Sequence, residues 1–173
     1  MSRPARLFLD RQPSPIGELL IVTDEAGLLR AVDFHDHEHR LDRLLKTHYG
    51  PLRPDTGPAP AVTRAALAAY FEGRFEALSS LAWATNGTTF QNAVWTALTQ
   101  IPAGQTITYS ELARRAGRPA AIRAAGHANG SNPLSLVAPC HRVIGMDGSL
   151  TGYGGGIERK RWLLAHEGVR PGR

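Results

Sequence analysis

The chain has 173 residues, 42% of them hydrophobic, which fits one large or two small globular domains. Its formal net charge is +5 at pH 7, and its single cysteine excludes both an intramolecular disulfide framework and a cysteine-rich zinc site. We find neither a secretory signal nor an apolar run long enough to span a bilayer, and therefore expect a soluble cytoplasmic protein that does not contact membranes.

The positive charge is concentrated in the second half of the chain. Residues 85–173 contain ten Lys or Arg against four acidic residues, a net charge of +6, whereas residues 1–84 carry a net charge of −1. A basic domain attracts phosphate backbones at long range, although a solvated basic face without a partner is about as common. We predict two domains: residues 1–84 as a mixed scaffold, and residues 85–173 as the part that carries binding and chemistry.

The first half predicts a β-hairpin followed by a helix. Residues 19–22 and 28–34 have strand composition and flank the turn-like stretch 24–27. Residues 38–48 have helical periodicity and should end at Gly50. The predicted buried face of this helix consists of Leu41, Leu44, Leu45 and His48.

A proline-rich connection and a second helix follow. Four prolines between Pro51 and Pro60 predict a stiff link, and residues 61–72 predict a helix. Its packed side is expected to contain Val62, Ala66, Ala69 and Tyr70. Just before the first helix, His35, His37 and His39 alternate with acids; they could chelate a metal, but a solvated turn is the favoured interpretation.

The second half predicts several short helices. Thr88 or Thr89 should cap a helix that stops at Pro102-Ala103-Gly104. The apolar residues of this helix are Phe90, Val94, Trp95 and Leu98. Further on, Thr108 stands three residues before Glu111, the reciprocal spacing of a capping box, which puts Tyr109 at the first helical position.

The next two helices predict a helix-turn-helix. The helix that begins at Tyr109 should end at Gly117, and Pro119 suits the first turn of a helix that continues to about Asn129. This second helix is rich in alanine, so it can approach nucleic acid closely but offers few side chains that read bases. Small residues would equally suit tight packing on a neighbouring helix.

The only cysteine lies in Pro139-Cys140-His141-Arg142, shortly before the glycine-rich stretch 152–156. A lone cysteine is more often an inert buried residue than a nucleophile, because reactivity requires a stabilised thiolate. A thiol beside an imidazole, inside a strongly basic segment, nevertheless indicates a nucleophile aimed at a polyanionic substrate.

Several short motifs follow one another along the second half of the chain: Thr108-Tyr109, Gly117-Arg118-Pro119, Arg123-Ala124-Ala125-Gly126, Asn132-Pro133, Pro139-Cys140-His141-Arg142-Val143-Ile144, Gly152-Tyr153-Gly154-Gly155-Gly156, Lys160, Leu163-Leu164 and Glu167-Gly168. In order and spacing, these motifs resemble the signature of the O6-alkylguanine-DNA alkyltransferase (methylated-DNA–protein-cysteine methyltransferase) family. The dense match covers roughly residues 86–170, and Ser14-Pro15-Ile16-Gly17 with the hairpin resembles the family's N-terminal domain.

This resemblance implies an α/β (α+β) fold, with a small mixed N-terminal domain and a mainly helical, winged-helix-like C-terminal domain containing the helix-turn-helix. It implies DNA repair by irreversible transfer of a methyl or larger alkyl group from O6-alkylguanine in double-stranded DNA to Cys140, once per molecule, after nucleotide flipping. It implies a monomer in solution without cofactor. Activity on O4-alkylthymine and assembly on DNA are left open.

The resemblance also implies catalytic roles. Cys140 is the nucleophile, His141 draws its proton through a water, Glu167 orients His141, and Asn132 braces the cysteine turn. Without the family, Glu167 would be interpreted as an exposed acid, His141 as a core imidazole and Asn132 as part of an Asn-Pro turn. Because neighbouring side chains diverge in a regular strand, Cys140 and His141 require an irregular turn or a bridging water.

Binding roles are implied in the same way. Arg123 matches a finger that fills the vacated base stack, and Tyr109 matches a residue that crowds the flipped nucleotide and donates to guanine. As alternatives, Arg123 is a phosphate contact and Tyr109 packs at a helix start. The remaining implied substrate contacts are Val143, Tyr153, Gly154 and Gly155. The remaining implied DNA contacts are Ser110 and Arg118.

Two positions depart from some family members. Gly154 stands where some have serine, which leaves only a backbone donor, and Arg118 occupies a position that is often uncharged. Some members bind zinc through N-terminal cysteine and histidine, but this chain has no cysteine there, so we predict no metal.

Three other functions fit the sequence less well. A non-enzymatic lesion-binding relative would lack the cysteine, a helix-turn-helix regulator would need base-reading side chains, and a cysteine hydrolase would need an oxyanion site.

Overall fold

The computed structural model describes residues 3–169, and this part of the chain forms two compact units. The first unit contains the chain up to Asn86 together with Pro133–Val137, and the second contains Gly87–Asn132 and the chain from Ala138 onward. No helix among the described residues is both long enough and apolar enough to cross a membrane. Arg170 to Arg173, at the end of the predicted C-terminal domain, lie outside the described residues.

The first unit is built on a four-stranded sheet. Its strands are β1 (Leu7–Gln12), β2 (Leu19–Asp24), β3 (Leu29–Phe34) and β4 (Asp55–Thr56), in the order β3-β2-β1-β4. The predicted hairpin is confirmed as the antiparallel pair β2–β3, and every residue of both strands is buried. The sequence patterns did not predict β1, which pairs antiparallel with β2, or the short β4, which pairs parallel with β1.

Two helices accompany this sheet, α1 (Glu38–Tyr49) and α2 (Ala61–Phe71). The predicted packed side of α2 is wrong at Val62, which is 64% exposed, because the buried face begins one residue later, at Thr63. The core cluster between the sheet and α1 consists of Leu7, Leu20, Val22, Ala31, Leu41, Leu45 and Tyr49.

Residues 133–137 extend the sheet of the first unit along the free side of β3. The Val32 amide donates to the Pro133 carbonyl at 2.8 Å, and the Ser135 amide donates to the Val32 carbonyl at 3.2 Å. The chain thus enters the first unit directly after Asn132 and leaves it directly before Ala138.

The second unit begins with α3 (Thr89–Thr99). Thr88 is its N-cap, and the side chains of Thr88 and Gln91 exchange hydrogen bonds with each other's backbone amides in a complete capping box. Trp95 is fully buried, and its indole nitrogen donates to the Ala128 carbonyl at 2.8 Å. This hydrogen bond fixes α3 against the helix that contains Ala128.

The predicted helix-turn-helix is formed by α4 (Tyr109–Arg115) and α5 (Ile122–Gly130). Tyr109 is the first residue of α4, and the Thr108 hydroxyl accepts from the Glu111 amide as predicted. The second hydrogen bond of the capping box, from the Thr108 amide to the Glu111 carboxylate, is not formed. The Glu111 carboxylate accepts from Arg114 and Arg115 instead.

The position predicted for Pro119 is also wrong. It lies before α5 instead of in its first turn, because residues 118–121 form a separate turn closed by the Ala121 amide and the Arg118 carbonyl at 2.9 Å. Proline at the second position of such a turn is favoured, since its fixed φ suits that position.

A two-stranded parallel sheet and a last helix complete the second unit. β5 (Ile107–Thr108) pairs with β6 (Val143–Ile144), and α6 (Ile157–His166) follows. Between the helix-turn-helix and β6, a single 3-10 turn contains Cys140–Arg142. Because β5 leads into α4 and β6 follows the cysteine turn, the start of the helix-turn-helix and the cysteine are anchored on adjacent strands.

Candidate active site

Cys140 lies in a buried 3-10 turn, with only 4% of its surface exposed. The turn is braced from behind: the Asn132 side-chain amide donates to the Ala138 carbonyl at 2.7 Å, and Asn129 donates to the Cys140 carbonyl at 3.5 Å. The irregular turn that the Cys140–His141 adjacency was expected to need is present. Asn132 is placed where a brace was predicted.

His141 is completely buried and is held by one carboxylate. Its Nε2 lies 2.8 Å from Glu167 Oε2, while its Nδ1 has no hydrogen-bond partner within residues 3–169. Burial lowers the pKa of His141 below the ordinary 6.5, and this effect exceeds the opposing attraction of Glu167. The imidazole is therefore neutral near pH 7, with Nε2 donating to Glu167 and Nδ1 able to accept a proton.

Glu167 follows α6 and is shared between His141 and Arg142. The Arg142 guanidinium donates to both carboxylate oxygens, from Nε at 2.7 Å and from the terminal nitrogen at 2.9 Å. Burial raises the pKa of Glu167, but the hydrogen bonds and charges of His141 and Arg142 lower it by more than burial raises it. The resulting pKa is well below the ordinary 4.5. Glu167 is 6% exposed, so interpreting it as a surface acid is wrong.

Arg142 also anchors this network to α3. Its other terminal nitrogen donates to the Ile101 carbonyl, just beyond the end of that helix, at 2.5 Å. A buried guanidinium with a bidentate carboxylate and a carbonyl acceptor is well satisfied. Because Arg142 is the last residue of the Cys140 turn, these bonds fix the turn to the end of α3.

Lys160 of α6 is fully buried and binds three backbone carbonyls. Its Nζ donates to Val143 at 2.7 Å, Thr151 at 2.6 Å and Gly152 at 3.4 Å. Burial lowers the pKa of Lys160 from 10.5 to about 8, and the negative charge of a Cys140 thiolate acts in the opposite direction.

Two of the predicted substrate residues, Val143 and Tyr153, adjoin the Cys140 turn. Val143 is fully buried, and the Tyr153 ring meets the His141 ring edge-on at a centroid distance of 6.3 Å. Gly155 is buried, and its carbonyl accepts from Arg159 at 3.1 Å. Gly154 is half-buried beside these residues.

Tyr109, the first residue of the helix-turn-helix, contacts the chain just before the glycine-rich stretch 152–156. Its hydroxyl is 3.0 Å from the Thr151 hydroxyl, and a Cβ atom placed at Gly126 would lie 3.6 Å from its ring. Ser110 is half-buried beside Tyr109 in the first turn of α4. The start of α4 therefore contacts the chain just before the glycine-rich stretch 152–156.

Arg118 and Arg123 are exposed and are not part of the buried network among the described residues. Arg118 lies with its guanidinium 5.1 Å from the centre of the Phe90 ring, a cation–π contact. Arg123 occupies the first turn of α5. Their predicted contacts with DNA stay predictions.

Residues 3–169 contain no group of three or more His, Cys, Asp or Glu side chains arranged to hold a metal ion. His35 and His37 lie in a 3-10 turn, and the His37 and His39 rings stack at 6.3 Å. The favoured interpretation of these residues as a turn into α1 agrees with this arrangement.

A helix-turn-helix unit with a buried cysteine backed by a histidine and a carboxylate defines a DNA-binding protein with a thiol nucleophile. Two family models match the chain. Residues 12–83 match "6-O-methylguanine DNA methyltransferase, ribonuclease-like domain", and residues 89–169 match "6-O-methylguanine DNA methyltransferase, DNA binding domain".

Individual relatives agree. Methylated-DNA--protein-cysteine methyltransferase of Salmonella typhimurium is 47% identical over 94% of this chain and 96% of its own length. The protein of the same name from Haemophilus influenzae is 41% identical over 94% and 87%. The crystal structure of Mycobacterium tuberculosis OGT in complex with DNA matches with a TM-score of 0.76, at 39% identity over 92% of each chain. The chain belongs to the 6-O-methylguanine DNA methyltransferase family.

Four residues of the site had no role assigned from the sequence: Asn129, Arg142, Lys160 and Thr151. Arg142 offered a partial signal, because it adjoins a predicted active-site histidine in a half of the chain that contains only four acids. Lys160 and Thr151 offered none, since their contacts depend on how the chain folds back.

Proposed function

We propose that this protein repairs O6-alkylguanine in double-stranded DNA by transferring the alkyl group to Cys140 Sγ, once per molecule. The observation that carries the proposal is the buried Cys140 turn next to His141, whose Nε2 is bound by Glu167 while Nδ1 is left to accept a proton. Family membership and the DNA complex of a relative support the same conclusion.

The transfer is a displacement at saturated carbon. The Cys140 thiolate forms a new S–C bond while the C–O6 bond breaks, and guanine leaves with the electron pair, which is shared between O6 and N1 until a proton binds at N1. The thiol proton passes to His141 Nδ1 through a water, because neighbouring side chains on one turn do not face each other. Glu167 stabilises the imidazolium that forms.

The leaving group is stabilised by hydrogen bonds. Charge that develops on guanine during bond breaking is met by donors at the loop and at Tyr109, whose hydroxyl lies at the edge of the loop. Gly154 and Gly155 present main-chain amides and no side chain, which suits a flat purine between the loop and Val143.

A thioether is a very poor leaving group, and the chain has no second cysteine to resolve it. Each molecule therefore acts once. The same argument disfavours a cysteine hydrolase, which must release its acyl group and needs donors placed for a tetrahedral oxyanion.

DNA is bound through the basic second half. Arg123 enters the stack vacated by the flipped nucleotide, and Ser110 and Arg118 contact phosphates. The alanine-rich α5 has few side chains that can read bases, which disfavours a sequence-specific regulator. The protein binds as a monomer and acts in the cytoplasm.

The test is a single incubation with duplex DNA that contains O6-methylguanine, followed by intact mass measurement. The parent protein should gain the mass of one methylene group and no more, since S–H becomes S–CH3. Cys140→Ser should bind duplex with the parent's affinity and gain nothing, because its hydroxyl is far harder to ionise near neutral pH. Mass gain in the serine variant, or none in the parent, rejects the proposal.

A further inference from the structure

Thr151 is held at both its hydroxyl and its carbonyl, although its side chain is exposed. The hydroxyl is 3.0 Å from the Tyr109 hydroxyl, and the carbonyl accepts from Lys160 Nζ at 2.6 Å. The first partner comes from the start of α4 and the second from α6. Thr151 is therefore fixed by two elements just before the loop residues Tyr153 to Gly155.

Tyr109 has little freedom on its other side. Its ring faces Gly126 of α5, where an added Cβ would already be in van der Waals contact at 3.6 Å. With the ring packed against α5, the orientation of the phenol hydroxyl is set by its hydrogen-bond partner, which is Thr151. Thr151 thus stands between the helix-turn-helix and the loop.

Lys160 ties the same threonine to the cysteine turn. The ammonium that binds the Thr151 carbonyl also binds the Val143 carbonyl at 2.7 Å, one residue beyond the turn of Cys140. Lys160 is fully buried, so these carbonyls are the groups that compensate its charge. A displacement of Thr151 would therefore disturb the surroundings of Cys140 as well as Tyr109.

We propose that Thr151 is a positioning residue for alkyl transfer: its hydroxyl orients the Tyr109 hydroxyl and holds the start of the glycine-rich loop in register with the Cys140 turn. This inference rests on the proposed function. Thr151 is not a catalytic residue, since it acts on the base through Tyr109 and the loop.

The experiment compares Thr151→Val, which keeps the shape and loses the hydroxyl, with Thr151→Ser, which keeps the hydroxyl. Alkyl transfer is followed under single-turnover conditions with free O6-benzylguanine and with an O6-methylguanine duplex, and the rate at saturation is separated from the half-saturating concentration. Loss of one hydrogen bond predicts that Thr151→Val lowers the saturating rate about fivefold on both substrates. Thr151→Ser should retain most of the parent's saturating rate.

A double-variant cycle tests the route through Tyr109. If Thr151 acts by orienting that hydroxyl, Thr151→Val should slow a Tyr109→Phe protein much less than it slows the parent. Thr99→Val is the matched control, because the Thr99 hydroxyl donates to the Thr96 carbonyl at 2.6 Å on the exposed side of α3, and its loss should leave the rate unchanged.

The inference is overturned if Thr151→Val transfers at the parent rate, if Thr151→Ser is as slow as Thr151→Val, or if the Thr151 and Tyr109 effects simply add. Thermal unfolding checks that each variant is folded. Failure of the proposed function gives a different result, because the parent protein would then gain no mass from either substrate.

Discussion

Glu167 Oε2 lies 2.8 Å from His141 Nε2 in a site where both side chains have no exposed surface. The same carboxylate receives a bidentate pair of bonds from Arg142. One buried acid therefore orients the histidine beside the cysteine and compensates the arginine that anchors the cysteine turn. The geometry of the site and the stability of the second unit depend on the same group.

Glu167→Gln should destabilise the fold. The amide keeps the shape but leaves Arg142 without its counter-charge, and breaking a buried ion pair from one side costs about 3 kcal/mol of unfolding free energy. Urea unfolding measures the loss.

Glu158→Gln is the matched control for this change. Glu158 lies on α6 and pairs with Arg161 at 2.9 Å, but its side chain is 91% exposed, so unfolding should be unchanged. If both substitutions change the unfolding free energy equally, the buried network around Glu167 contributes no more to stability than an exposed ion pair does.

Acid should destabilise the protein through His141. Burial lowers the folded-state pKa of His141 below 6.5, so the unfolded chain binds more protons there and stability falls as pH drops below 6.5. Glu167 adds to this acid destabilisation only below pH 4.5, the ordinary pKa of glutamate, because its pKa in the folded protein is also lowered.

The check is unfolding free energy against pH between 6.5 and 4.5, for the parent and for His141→Gln, which does not titrate. The variant should show a shallower slope. An identical slope in both proteins would mean that His141 is not held neutral by the fold.

Local sequence signals predicted the elements that local chemistry determines. The Thr88 cap, the Tyr109 helix start and the turn at residues 24–27 depend on neighbours within a few positions, and the structure has all three. β4 was missed because it has two residues and pairs with a segment as distant as Phe8. β1 pairs with the neighbouring β2, but only its two end residues, Leu7 and Gln12, are buried, so it shows no alternation of apolar and polar residues.

The candidate site divides in the same way. The Cys140–His141 adjacency is visible in the sequence, whereas Glu167 lies 26 residues beyond His141 and was reached through the family resemblance alone. Lys160 could not have been interpreted, because its partners are backbone carbonyls that carry no residue identity. The roles of the site residues stay predictions until the variants are measured.

Arg123→Ala should separate flipping from chemistry. Arg123 is exposed on the first turn of α5, outside the buried network, so its removal should leave the cysteine turn intact. Unstacking a base costs a few kcal/mol, and Arg123 offsets part of that cost by filling the vacated stack. Without this side chain, we expect repair of duplex lesions to be about tenfold slower. Transfer from free O6-benzylguanine, which needs no extrusion, should be nearly unchanged. Equal loss on both substrates would identify Arg123 as a structural residue.

Affinity for unmodified duplex should fall steeply with salt, with a slope of about −0.9 per neutralised phosphate and little dependence on base sequence. Arg118→Ala should weaken all duplexes similarly and reduce the slope by about one. Arg74→Ala is the matched control, since this exposed arginine of the first unit pairs with Glu72 and should leave the slope unchanged. A salt-insensitive parent, or strong preference for one unmodified sequence, would favour a transcription regulator.

The most direct measurement is the position and number of alkyl groups after reaction with excess O6-methylguanine duplex. Proteolysis and peptide mass spectrometry should find one methyl group per protein molecule, on the peptide that contains Cys140, with further substrate producing no second addition. Methylation at another residue, more than one group per molecule, or release of the group from Cys140 with recovery of the free thiol would contradict single-turnover transfer to this cysteine.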